Sequence, residues 1–226
     1  MILTQETQTT DRFVKAAELL KGPGIEVRLA GIYSLERLAR DSAKAPGAWG
    51  KDYATIIEYL AGYVRHRSPW PSRKKRDEML DDVQAALTVL GRRPKVYKSE
   101  RDPRLHLSAT DLRWADLREA HLEGAYLHRV HLEDADLGGA HLHDAILIRA
   151  HFQGASLAGA HLERAHLEGA YLAKTTGITL HQVKSAYFDN DTQLPPDIRT
   201  ALAPAQPANP PTTPPAPTIP PLRPVS

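Results

Sequence analysis

From Leu105 to Lys174 the chain repeats every five residues, through fourteen consecutive units. The third residue of each unit is Leu from Leu107 to Leu172, except for Phe152. The first is Ala in most units, with Leu105, Thr110 and Val130 as the substitutes. A period of five fits neither a helix nor an ordinary strand, and a sustained short period marks a repeat architecture. On extended backbone, residues two apart share a face, so each Ala and its Leu point inward together. One unit cannot bury its own Leu. Stacked turns bury them as a continuous column, with backbone hydrogen bonds between turns about 4.8 Å apart. Leucines near an open end of such a column are expected to contribute less than central ones.

Units such as Ala115-Asp116-Leu117-Arg118-Glu119 and Ala135-Asp136-Leu137-Gly138-Gly139 resemble the A-(D/N)-L-x-x pattern of the pentapeptide-repeat family. The resemblance implies four units per turn, each forming one side of a square tube. The expected fold class is therefore α+β: a right-handed quadrilateral β-helix preceded by an all-helical N-terminal domain. The stretch Thr175-Thr176-Gly177-Ile178-Thr179, then Leu180 to Ala186 and Asp191 to Pro195, resembles the ending of actinobacterial members. The N-terminal helices likewise resemble the domain that precedes the repeats in many of them. Thr179 is placed to N-cap a short helix that plugs the tube, whose open edge otherwise invites association.

Upstream, apolar residues recur at helical spacing in four stretches. The first runs from Asp11 to Lys21 and stops at Gly22-Pro23-Gly24. The second begins at Ile25, the third spans about Asp52 to His66, and the fourth about Asp77 to Leu90 with Gly91 as its stop. The resulting division is a disordered start (1–9), a helical domain (10–93), a charged linker (94–104), the repeats (105–174), a C-terminal cap (175–199) and a disordered proline-rich tail (200–226).

The chain has no cysteine, so disulfides, thiolate zinc and a cysteine nucleophile are excluded. Its formal net charge is +2, which argues for no particular partner. No apolar run has the length of a membrane span, and the start lacks a secretory pattern, so a cytoplasmic protein is expected. No nucleophile elbow, phosphate loop or carboxylate pair stands out. The expected catalytic, cofactor and metal sites are none. His121, His141 and His161 fall in one column and His131 and His151 in another. They are read as surface histidines, because further ligands would have to come from round a corner of the tube. The basic cluster from Arg65 to Arg76 is read as a solvated loop, and nucleic acid is not the expected partner.

The expected role is a non-catalytic scaffold or protein-interaction module with an unidentified protein partner or a second copy. Its interaction face is placed on Tyr126, His128, Ile146, Ile148 and His166, where two isoleucines occupy outward positions; the alternative is that the N-terminal helices or the C-terminal segment of the same chain cover them. The alternative follows from the family resemblance: a DNA-mimic protector of DNA gyrase or topoisomerase. Those relatives are long, dimeric, strongly acidic rods. Residues 105–174 carry ten acids and six bases, and their turns span roughly 17 Å at sheet spacing, which fits such a mimic poorly.

Overall fold

The computed structural model describes residues 2–44, 51–71, 78–93 and 104–202. Four helices lead the chain: α1 (Ile2–Leu19), α2 (Ile25–Lys44), α3 (Lys51–Arg67) and α4 (Asp81–Gly91). Two short helices close it, α5 (Leu180–Ser185) and α6 (Pro196–Leu202). Helix α1 takes in the stretch expected to be disordered, because no Gly or Pro interrupts the sequence before Gly22. Helix α4 starts at Asp81 rather than Asp77, since Leu80 is extended at φ −76°, ψ 128°. Its two acids, Asp81 and Asp82, then fall in the first turn, where negative charge suits the helix dipole. Helix α6 carries regular structure past 199, to Leu202. Most of the expected linker (94–103), the basic residues Arg73 to Arg76 and the proline-rich segment 203–226 lie outside the described residues.

Helix α2 packs on α1, α3 and α4, and α3 also packs on α4. Ile32, Leu35, Ile56, Leu60, Val64, Val83 and Leu87 are buried among them. Asp82 pins the three inner helices together. Its Oδ2 accepts from Arg28 Nε of α2 at 2.6 Å and from the Tyr63 hydroxyl of α3 at 2.7 Å. Arg67 Nη2 of α3 lies 2.8 Å from the same oxygen. Burial alone would push this carboxyl up. The Tyr63 hydrogen bond and the two guanidiniums outweigh it and hold it below its ordinary value. Burial, together with Asp82, pushes the Tyr63 phenol up to about 12.

The repeats form a square tube. Backbone bridges join residues twenty apart in parallel, His106 to Tyr126 to Ile146 to His166 on the first side, and likewise on the other three. Side one therefore carries the units starting at 105, 125, 145 and 165. Sides two, three and four begin at 110, 115 and 120. The fifth residue of each unit, from Ala109 to Gly169, is left-handed, with φ between 52° and 79°. These are the corners. Eight are not glycine, so each of those sits in a region costly for L-residues and is held there by the ladder around it. The leucines, Phe152 and the alanines fill the bore and are buried throughout. The core of the tube is continuous with that of the helices.

Residues 175–194 do more than plug the end. Thr176 pairs with Ser156 and extends side three, Tyr187 pairs with His166 on side one, and Gln193 pairs with Tyr171 on side two. Helix α5 takes the place of side four, with Ser185 O accepting from Arg164 N at 2.7 Å. Thr179 caps α5 in a reciprocal capping box with Gln182. Gly177 makes the turn into this helix at φ +72°, and a Cβ there would lie 2.8–2.9 Å from the Ala158 backbone. Only glycine fits.

Both ends being covered, Leu107 and Leu172 are as buried as the central Leu142. Leu107→Ala, Leu142→Ala and Leu172→Ala should each cost about 2–5 kcal/mol in urea melts. Near-zero losses at the two end positions, with a full loss at Leu142, would show that the ends are open.

Candidate interaction surface

In this tube the second residue of each unit donates its N–H to the turn below and offers its C=O to that same turn. The first turn has no turn below it, so the backbone groups of His106, Asp111, Asp116 and His121 need partners from elsewhere. The helical region supplies a partner on each side. On side one, Arg65 Nη1 of α3 donates to His106 O at 2.6 Å. On side two, Asp111 N donates to Ser68 O at 2.8 Å, and the Ser68 hydroxyl donates to Asp111 O. Here Ser68–Trp70 run antiparallel to the tube, with Pro69 opposite Thr110 and Trp70 N on Ala109 O at 2.9 Å. On side three, the Gln84 amide of α4 works both ways: Asp116 N donates to its Oε1 at 3.0 Å, and its Nε2 donates to Asp116 O at 2.8 Å. On side four, His121 N donates to Gly91 O at 2.7 Å, and Arg93 Nη1 donates to His121 O. The far end is closed in the same way: Leu167 N and Leu172 N each donate at 2.7 Å, to Tyr187 O and Gln193 O.

Side one does not match its sequence reading. Ile146 is 1% exposed. It lies in the ladder between Tyr126 and His166, and the Tyr187 ring sits tilted against His166 with centroids 4.9 Å apart. Tyr126, His128, Ile148 and His166 are half-buried. Pointing outward from the tube is not the same as being exposed, because bulky side chains one turn above and below cover a short aliphatic. The five residues do share one side, but they form no exposed apolar patch. Burial, and then Arg129, hold the His128 imidazole below its ordinary value.

Side two is a stack of rings. Trp70, His131, His151 and Tyr171 follow one another with centroids 3.5, 4.1 and 4.3 Å apart. His131 is buried, and its Nδ1 lies 2.8 Å from Glu133 Oε1. Trp70 thus locks the turn after α3 onto the tube, a role the sequence did not signal because Trp70 stands between two prolines in an irregular segment. Side three is an open trough. Gly138, Gly139, Ala158 and Gly159 keep its floor low, and Asp116, Arg118, Asp136 and His161 rim it. Arg118 is held bidentate by Asp116, at 2.9 and 2.6 Å. Side four carries the column His121, His141, His161, with rings 4.8 Å apart.

Two measurements check this geometry. Burial, and next the neighbouring His131, hold His151 below its ordinary value, with Glu133 opposing. The unfolded chain then binds more protons, so the His151 contribution is full above the unfolded value near about 6.5 and falls away as pH drops below it. His151→Gln should flatten the stability curve from pH 7 to 5; an unchanged slope would contradict the burial of this ring. Removing residues 1–104 exposes the first-turn edge, so the remaining tube should self-associate in sedimentation. A clean monomer would show that the edge needs no cover.

Residues 106–144 and 145–176 match the family model described as pentapeptide repeats, in eight copies. A search of curated proteins finds no match to the chain. Among solved structures, a pentapeptide repeat protein from the Arabidopsis thaliana thylakoid lumen is 22% identical over 43% of this chain and 70% of its own, with a TM-score of 0.24. One from the cyanobacterium Cyanothece 51142 is 36% identical over 38% of this chain and 65% of its own, at 0.17. One from Nostoc is 25% identical over 41% of this chain and 75% of its own, at 0.22. The family match over residues 106–176 and the five-residue, four-sided ladder agree in describing this region as pentapeptide repeats.

Proposed function

We propose that this protein is a non-catalytic scaffold, a cytoplasmic interaction module that engages a protein partner through the sides of its tube. The observation that carries this reading is the closure of both tube ends by the chain itself. An open solenoid edge would offer strand pairing to any partner. With the ends closed, recognition falls to side chains on the flanks. On side three, the trough is floored by glycine and alanine, and its rim carries charges of both signs. A protein surface of mixed charge suits it better than a nucleic acid would. No helix among the described residues is long and apolar enough to cross a membrane. The helical region and the Thr175–Pro195 ending support placing the chain with actinobacterial members of the family.

Gyrase protection by DNA mimicry is the less favoured reading. The repeats carry a net charge of only −4, and the end closures occupy edge groups through which two tubes would join into a longer rod.

The test is co-purification from native cytosol, comparing the wild-type chain with Ala158→Arg. Ala158 is exposed on the trough floor, so the variant should melt as wild type while a specific partner is lost. A partner retained in full by Ala158→Arg would remove side three from the proposal. The purified protein at micromolar concentration should leave gyrase supercoiling unaffected; clear inhibition would favour the mimic.

A further inference from the structure

Side four differs from the others in the chemistry of its outward positions. Its second residues are His121, His141 and His161, and its fourth residues are Glu123, His143 and Glu163. All six are side chains that ligate transition metals. They form a grid two residues wide and three turns high. The second and fourth residues of a unit flank the inward Leu and project from the same side. A third ligand therefore need not come from round a corner, as the sequence reading required. One donor atom each from His121, Glu123 and His141 lie within 4.8 Å of one another. His121 Nδ1 is 3.0 Å from Glu123 Oε1. His143 meets His141 edge-on, at 86° with centroids 6.4 Å apart.

Side two offers a similar trio, His131, Glu133 and His151. The two sides part on mobility. A metal–imidazole bond lies in the ring plane, so rings stacked face to face aim their lone pairs in parallel rather than at a common point. One ring must turn before two can share an ion. On side two the rings are clamped between Trp70 and Tyr171, and His131 is buried. On side four His121, His141 and His143 are half-buried, with 23% of the His121 side chain open to solvent, and the His121 and His141 rings lie 4.8 Å apart against 4.1 Å for His131 and His151. The wider spacing leaves a ring more room to turn.

We propose that side four binds one divalent transition-metal ion, zinc being the best match, through His121, His141, His143 and Glu123. Zinc takes imidazole and carboxylate ligands in a tetrahedron and has no directional preference of its own to violate. Three imidazoles exclude calcium and magnesium, which take oxygen ligands. Zinc takes imidazole in its neutral form, so affinity falls toward acid pH. This assignment is independent of the partner reading.

The experiment is calorimetric titration of the untagged full chain with zinc chloride at pH 7.5. The expected result is saturable binding of one ion per chain, with a rise in melting temperature. The double variant His141→Ala, His143→Ala should melt like wild type without zinc and lose the saturable phase. Glu123→Gln, a change at the outer rim of the grid, should weaken binding by about tenfold, and it carries the test if the double variant fails to fold. His151→Gln should bind as wild type. Absence of saturable binding, its persistence in the double variant, unchanged affinity in Glu123→Gln, or its loss in His151→Gln would each overturn the assignment.

Discussion

A solenoid built from parallel turns has two edges, and each is a row of backbone groups that must be satisfied or left to associate. That constraint organises this protein. Arg65, Ser68, Gln84, Gly91 and Arg93 come from two helices and the segments that follow them, yet they meet the first turn at all four sides of the square. Each contact imitates a piece of the missing turn. Gln84 does so most completely, because its carboxamide has the donor and acceptor of a peptide group. The helical region is thus not a separate module beside a tube. Its core runs into the tube's core, and its fold fixes where the cap residues stand.

The Asp82 cluster belongs to the same scheme. By drawing Arg28, Tyr63 and Arg67 onto one carboxylate, it sets α3 against α4. Arg65 and Ser68 come from the end of α3, while Gln84 and Gly91 come from α4. The angle between these helices decides whether all four sides are reached. Breaking a buried charge cluster of this kind is costly because the remaining charges lose their partners.

The tube was legible in the sequence because its period is strict and each unit repeats the same local requirement. The inward Leu column and the capping role of Thr179 follow from residues near one another in the chain, and the four-unit turn follows from the resemblance to the pentapeptide-repeat family. The N-terminal cap was not legible. Gln84, Arg93 and Ser68 are ordinary polar residues in their own segments, and their targets lie 28 to 43 positions away. The interaction face was misread at Ile146 for a related reason: a unit's outward direction is local, whereas exposure depends on Tyr126 and His166 one turn away. The side-four histidines were placed correctly as a column, but their acidic and imidazole neighbours at the fourth position were overlooked.

Amide hydrogen exchange along the first turn tests the edge closure most directly. The N–H groups of Asp111, Asp116 and His121 donate to Ser68, Gln84 and Gly91, whereas that of His141 donates within the tube, to Ala120 O. Closure by the helical region predicts that the three first-turn amides are protected to the same degree as His141 and open only with the whole structure. Fast exchange at Asp111, Asp116 and His121 beside a protected His141 would contradict it.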